Sequence, residues 1–336
     1  MEITMSRLTS TVYVGIVTYN SAHLIEACLN ALLKQAYPKV RIVVFDNNSS
    51  DDIGKRVQKY PRVRFIQSAQ NVGYGRGHNS IISTIPFKRN DYYLTLNPDA
   101  RLTPTYISRL VTRCRRQKAG WAVGKLYKDI KQTILYSAGH AMFRDGYAFN
   151  IGYGMKDTEQ YAFARKIFGA PGAAALYSYQ LIRDISAGNN FFDPVFFLYY
   201  EDIDVDWRAN LMGYTCWFEP LATAVHPGGV APRRLIGDIL CNRFIMVIKN
   251  AFFMDLLFYN FPIIFFHLVV RLIITPRVGW YMIRQVLKQT KGALHLRKAA
   301  TISRADMHRW YRDAANEVSK QPRNIVSRSL ALITNH

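Results

Sequence analysis

Two apolar runs of this chain end in carboxylates, and a histidine follows them. Tyr92-Tyr93-Leu94-Thr95-Leu96 leads into Asn97-Pro98-Asp99, and Phe196-Phe197-Leu198-Tyr199-Tyr200 leads into Glu201-Asp202-Ile203-Asp204. His226 lies beyond, just before Pro227-Gly228-Gly229. Apolar strands that stop at acids put charge at a sheet edge, where open α/β folds collect their ligands. Carboxylates and an imidazole suit a divalent cation, and one more carboxylate could act as a base. The set points to an enzyme that handles a phosphorylated donor.

Elements that could position these groups are legible upstream. The β-branched run 12–17 predicts a buried strand, and Asn20 or Ser21 can cap the helix after it. Leu24, Ile25, Cys28, Leu29, Leu32 and Leu33 follow a helical period that Pro38 closes. Residues 41–45 predict a second strand ending in Asp46-Asn47-Asn48-Ser49-Ser50-Asp51, a common place to hold a nucleoside. In Asn71-Val72-Gly73-Tyr74-Gly75-Arg76-Gly77-His78-Asn79 the glycines alternate, so the dinucleotide fingerprint is absent; a flexible loop is the plain alternative. Glu201-Asp202 opens a helix with Ile203, Trp207 and Leu211 on one face and Gly213 as its stop. Asp204 and Arg208, four apart, read as a pair on that helix's surface.

With 336 residues, 49% hydrophobic and 13% aromatic, the chain can bury a sizeable core. Its 44 Lys and Arg against 23 Asp and Glu give a net charge of +21. Such a surplus attracts phosphates. No nucleic-acid-reading module is visible, so nucleotide and lipid phosphates are the expected partners and nucleic acid is not. Four cysteines without a Cys-x-x-Cys pair fit a reducing compartment, and no apolar signal core precedes the first strand.

The ordered motifs resemble family 2 glycosyltransferases. They are Val17-Thr18-Tyr19-Asn20, Phe45-Asp46-Asn47-Asn48-Ser49-Ser50-Asp51, residues 71–79, Leu96-Asn97-Pro98-Asp99-Ala100, Gly172-Ala173-Ala174, Phe192-Asp193, residues 196–204, Arg208, Gly213 and His226. Within that family the chain is most similar to bacterial rhamnosyltransferase-like enzymes of cell-surface polysaccharides. The resemblance implies a GT-A fold, a mixed α/β sheet flanked by helices, over residues 1–235. It implies that Tyr19 stacks on the base of a nucleotide sugar and that Asp46 binds base or ribose. Thr18, Asn20, Asn48, Asn71, Gly73, Asn79 and Asn97 would line the donor, and Arg76 could add a cation to its diphosphate. Asp99 and His226 would hold Mg²⁺ or Mn²⁺; Asn97, where the family's Asp-x-Asp motif has its first acid, offers only a neutral amide oxygen. Asp202 would be the general base, and Glu201 would orient it or the acceptor. The reaction implied is inverting transfer, of rhamnose from dTDP-rhamnose, to a hydroxyl of a lipid-linked saccharide. A galactofuranosyl or hexosyl transfer from a UDP-sugar would use much the same motifs, and a non-catalytic membrane scaffold would leave the carboxylates without a purpose.

Residues 236–320 read as an amphipathic helical membrane-associating region, and 321–336 as a loose tail. From 236 to the end there are 15 Lys and Arg against 5 Asp and Glu. The run 256–270, bracketed by Asp255 and Arg271 and containing Pro262, would span roughly 22 Å as a helix, short of a roughly 30 Å hydrocarbon core. A re-entrant or interfacial helix pair is therefore expected. Arg284, Lys288, Lys291, His295 and Lys298 form a basic stripe, with Trp280, Ile283 and Leu287 on another face, as in a helix lying on anionic lipid. The expected location is the cytoplasmic face of the inner membrane, peripheral or monotopic. The oligomeric state is not legible.

Overall fold

A computed structural model describes residues 10–229, 235–295, 297 and 299–319. The predicted tail and Lys298 lie outside these residues. Strand β1 (Val12–Thr18) pairs in parallel with β2 (Val40–Asp46) on one side and β4 (Tyr92–Leu96) on the other, and β3 (Val63–Gln67) extends the sheet beyond β2. Helices α1 (Ala22–Leu33), α2 (Ile53–Gln58) and α3 (Tyr74–Ile82) make the crossovers. Because β2 and β4 lie on opposite sides of β1, the strand order reverses there. A crevice opens at such a switch point, beyond the carboxyl ends of the strands.

Past β4 the sheet becomes mixed. The short β5 (Arg101–Leu102) and helix α4 (Tyr106–Gln117) lead to β6 (Trp121–Tyr127). After β7 (Leu135–Ser137), the hairpin of β8 (His140–Met142) and β9 (Ala148–Asn150), and β10 (Arg165–Ile167), strand β11 (Ala175–Ser178) inserts antiparallel between β4 and β6. Helices α5 (Tyr179–Ile185) and α6 (Glu201–Leu211) precede β12 (Cys216–Val225), which runs parallel to β6. The order β10-β12-β6-β11-β4-β1-β2-β3 is the mixed α/β sheet expected. All four cysteines are buried and free.

The glycine stretch differs from the loop alternative. Gly73 starts α3 at φ +87°, where a Cβ would meet the Phe197 carbonyl oxygen at 2.3 Å. Gly77 lets the helix lie against β1, since a Cβ there would sit 2.9 Å from Val17 Cγ1. The glycines therefore buy close approach rather than mobility.

The C-terminal helices are α7 (Ile236–Asn250), α8 (Phe253–Asp255), α9 (Phe261–Ile274), α10 (Pro276–His295) and α11 (Arg304–Ser319). The expected boundary at 235 falls just before α7, yet α7 packs its Leu240, Phe244, Ile245 and Val247 into one cluster with Phe196, Ile203 and Trp207 of the α6 region. Asp204 and Arg208 are not a surface pair. Both are buried, 2.8 Å apart, and Lys249 of α7 joins them at 2.9 Å from Asp204 while reaching Asp193 at 2.5 Å. Charge at these positions is tolerated inside because each group has a partner.

From Phe253 the chain is helical through Ile274, 22 residues whose most apolar 18 have a mean hydropathy of 1.9. The expected 256–270 segment is thus longer, because Asp255 and Arg271 do not cap it; both turn inward with Asn260. Asp255 meets Arg144, Arg304 and His308. Outward lie Met254, Leu257, Phe258, Phe261, Phe265 and Phe266. The buried polar residues face in together with Leu256, Ile264 and Leu268, and the larger apolar face points out.

Candidate active site

The nucleotide-side loops are locked to one another. Thr18 is buried and its hydroxyl donates to Asp46 at 3.3 Å; Ser49 donates to the same carboxylate through its hydroxyl at 2.5 Å and its amide at 3.2 Å. Asn20 (φ +50°) accepts from the Ser50 amide and donates its own amide to Ser49 Oγ. Ser21 does not cap α1 with its side chain; Asp51 does, accepting from the Ala22 amide at 2.8 Å. This leaves Tyr19, 54% exposed, and Asn48 (φ +62°) at the open surface of the loops. Asp46 itself is fully buried, so its carboxylate shapes the loop from inside.

The next layer is the α3 entry. Asn47 holds it with both ends of its amide, accepting from the Val72 amide and donating to the Gly73 carbonyl. Asn71 accepts from the Gly73 amide at 2.9 Å. Asn79 is turned inward and makes two bonds to the Phe192 backbone, while Arg76 is exposed and donates to the Pro194 carbonyl. Asn79 thus spends both ends of its amide on the backbone, whereas Arg76 commits its Nε.

A turn at Gly172-Ala173 gathers the chemistry. Asp202 Oδ2 accepts from the Gly172 amide at 2.9 Å, Tyr74 donates its hydroxyl to the Gly172 carbonyl at 2.7 Å, and the Asn97 backbone amide donates to the Ala173 carbonyl at 2.9 Å. Three segments far apart in sequence thereby meet at one backbone turn. Asp202 Oδ1 accepts from the Ile203 amide, so each carboxylate oxygen carries one hydrogen bond and retains acceptor capacity. Glu201 beside it is buried, with Oε2 lacking a hydrogen-bond partner. Burial first, and then the Asp202 charge, push its carboxyl well above the ordinary range.

Across the turn, His226 Nε2 lies 3.2 Å from Asp99 Oδ1 and 3.1 Å from Asn97 Nδ2. One neutral ring nitrogen cannot accept from the amide and donate to the carboxylate together. Turning the Asn97 side-chain amide over presents its oxygen instead, so that His226 Nε2 lies beside two oxygen acceptors. That donor set fits a hard cation, although no cluster of three His, Cys, Asp or Glu occurs among the described residues. Burial raises the Asp99 carboxyl, but the hydrogen bond and charge of His226, with backbone donors, outweigh it and hold the group below its usual range. Tyr136 packs edge-on against His226, 4.3 Å between ring centres, and its hydroxyl feels the charges of both Asp202 and Asp99. Tyr136 was not among the sequence candidates, and Asn47 and Gly172 stood in the quoted motifs without a role. A lone tyrosine or a backbone amide carries no spacing signal; a tyrosine-rich segment around 136–153 was the available hint.

Residues 13–186, just over half of the chain, match the family model described as glycosyl transferase family 2. A curated N-acetylglucosaminyl-diphospho-decaprenol L-rhamnosyltransferase of Mycobacterium tuberculosis is 26% identical over 236 residues, 65% of this chain and 76% of that protein. Among solved structures, a mannosyltransferase of Pyrobaculum calidifontis in complex with GDP-Man and Mn²⁺ superposes with a TM-score of 0.55 at 16% identity, over 97% of this chain and 86% of that one. GalNAc-T7 with UDP, GalNAc and Mn²⁺ gives 0.56 at 11% identity over 72% of this chain, which spans about half (48%) of that structure. The mixed sheet with its switch-point crevice is the GT-A fold of these neighbours. The chain belongs to glycosyl transferase family 2 and resembles its rhamnosyltransferases.

Proposed function

We propose that this glycosyltransferase moves rhamnose from dTDP-rhamnose to a hydroxyl of a lipid-linked saccharide, with inversion, at the cytoplasmic face of the inner membrane. The observation that carries the reading is the convergence of Asp202, Asn97 and Tyr74 on the Gly172-Ala173 turn, with Asp99 and His226 beside it. The Mycobacterium relative, named for rhamnosyl transfer to a diphospho-decaprenol acceptor, supports the donor and acceptor classes.

In this reading Tyr19 stacks on the thymine, and the loops at Asn20, Asn48, Asn71 and Gly73 shape the donor pocket. The acceptor hydroxyl attacks the anomeric carbon as the bond to the diphosphate breaks, and its proton passes to Asp202. The two backbone amides on Asp202 aim its remaining lone pairs, and neutral Glu201 avoids placing a second charge beside them. Asp99 and His226 would hold Mg²⁺ or Mn²⁺, whose charge would offset the negative charge growing on the departing diphosphate.

The outward Phe and Leu face of the 253–274 helix supports membrane contact, because a helix with its larger apolar face outward suits lipid rather than water. Its inner face stays packed on the rest of the chain: Asn260 donates to the Arg144 carbonyl and His267 lies against Phe244 of α7. At 22 residues the helix is long enough to cross a membrane, unlike the shorter run expected, but its contacts at Asn260 and His267 with the rest of the chain favour a place in the interface. Arg284, Lys288 and Lys291 of α10 are exposed to meet anionic headgroups.

The test is turnover by the purified protein of dTDP-rhamnose, UDP-galactofuranose and UDP-hexoses with a polyprenyl-diphosphate saccharide acceptor, with EDTA and with Mn²⁺ or Mg²⁺ restored. Rhamnosyl transfer that EDTA stops is expected, and Asp99→Ala should weaken dTDP binding only when metal is present. Transfer from a UDP-sugar alone would reassign the donor, and equal dTDP binding by wild type with and without metal would remove the cation.

A further inference from the structure

The segment that delivers Asp202 is bent in an unusual way. Tyr199 and Tyr200, directly before α6, have φ of +68° and +72°. Two successive non-glycine residues in the left-handed region are disfavoured, because each Cβ crowds the backbone. Such a bend persists only where its surroundings fix it.

What fixes it is a set of bonds to its carbonyls. The Phe197 carbonyl accepts from the Tyr74 amide at 3.0 Å, at the start of α3. The Leu198 and Tyr199 carbonyls both accept from the side-chain amide of Asn242, at 3.0 Å each. Asn242 sits on α7, is buried, and is far from Asp202 in sequence. One NH₂ group has two hydrogens, so it satisfies both carbonyls at once. The Tyr200 carbonyl then accepts from the Asp204 amide as α6 begins. The elbow is held from the donor side by the glycine loop and from the opposite side by α7.

We propose that Asn242 is a positioning residue for transfer: its amide holds the left-handed Tyr199-Tyr200 elbow, and the elbow sets where the Asp202 carboxylate stands relative to the acceptor hydroxyl. This rests on the reading of Asp202 as the base. Asn242 touches neither donor nor acceptor. Its loss therefore acts on turnover more than on donor affinity, because the donor-side glycine loop meets this segment at Phe197, through the Tyr74 amide, and not at the two carbonyls that Asn242 holds.

The test compares wild type, Asn242→Leu, Tyr199→Gly and the double variant, measuring kcat, and dTDP affinity by calorimetry. A displacement near 1 Å at a reacting group costs about a hundredfold in rate. Asn242→Leu is accordingly expected to lower kcat by about ten- to a hundredfold, with dTDP affinity within about twofold of wild type. Glycine adopts the left-handed conformation without a Cβ, so Asn242→Leu should cost several-fold less in the Tyr199→Gly background. If Asn242→Leu does not fold, Asn242→Ser, which withdraws the amide while adding no bulk, is read the same way. A kcat within twofold of wild type overturns the proposal, as does a parallel loss of kcat and dTDP affinity that Tyr199→Gly leaves unchanged. Asp202→Asn separates the two claims. If it is inactive while Asn242→Leu is normal, only the positioning role fails; if it turns over normally while Asn242→Leu is impaired, the base assignment fails instead.

Discussion

Lys249→Met should destabilise the protein by about 3 kcal/mol at pH 7, because breaking a buried ion pair by removing one partner costs about 3–5 kcal/mol. The Lys249 side chain is 1% exposed and bridges Asp193 and Asp204, both equally buried. The lower end applies because neither acid is left bare. Asp204 keeps Arg208 at 2.8 Å and Asn250 at 2.8 Å, and Asp193 keeps the Val195 amide at 2.9 Å. Methionine retains most of the stem, so little packing is lost. The penalty should shrink in acid. Burial raises the Asp204 carboxyl, but Lys249 and Arg208 outweigh it and hold it below its ordinary range. Its contribution is therefore present above the unfolded carboxylate pKa, about 3.9, and is lost as pH falls through the lower folded value. Urea unfolding at pH 7 and at about pH 2.5, below the unfolded carboxylate pKa, measures both effects, and Asp193→Asn in the Lys249→Met background should recover part of the loss. A cost below about 1 kcal/mol at pH 7, the scale of a surface pair, would refute the buried-network reasoning.

Other consequences follow from the site and from the outer helices. Glu201→Gln should gain stability relative to wild type as pH rises. The Glu201 carboxyl is held above its unfolded value, so wild type loses that advantage between about pH 4.3 and the raised folded pKa, whereas the amide does not titrate; urea unfolding of both proteins at pH 5 and pH 8 checks it, and a pH-independent difference would sink it. Reversing Arg284, Lys288 and Lys291 to Glu should release the protein from anionic vesicles far more than from neutral ones, and high salt should mimic part of the effect. Sedimentation measures it, and equal loss on both vesicle types would leave anchoring to the apolar face alone.

Much of the fold was readable because β1, β2 and β4 are apolar runs with polar ends, and because period alone separates them from α1 and α6. The carboxylates were readable for the same reason: Asp99 and Asp202 interrupt apolar residues abruptly. What escaped depends on contacts between distant segments. Nothing near Asp204 and Arg208 signals that Lys249, some forty residues on, would pull them inside. Asp255 and Arg271 look like brackets around an apolar run until the helix is built and both point inward. The glycines at 73 and 77 read as loop punctuation, yet their function is to let α3 approach Phe197 and Val17. The elbow at Tyr199-Tyr200 carries no glycine to announce a left-handed backbone, and its support comes from Asn242 on another helix.

The proposed transfer depends most directly on Asp202. Turnover of Asp202→Asn should be measured with dTDP-rhamnose and a polyprenyl-diphosphate saccharide, alongside dTDP affinity by calorimetry. The amide keeps the shape and can still meet the Gly172 amide through its oxygen, but it cannot take the acceptor proton. Donor affinity should stay within about twofold while turnover falls at least about a hundredfold, the low end for a general base. Turnover within tenfold of wild type would contradict the assignment and move the base elsewhere.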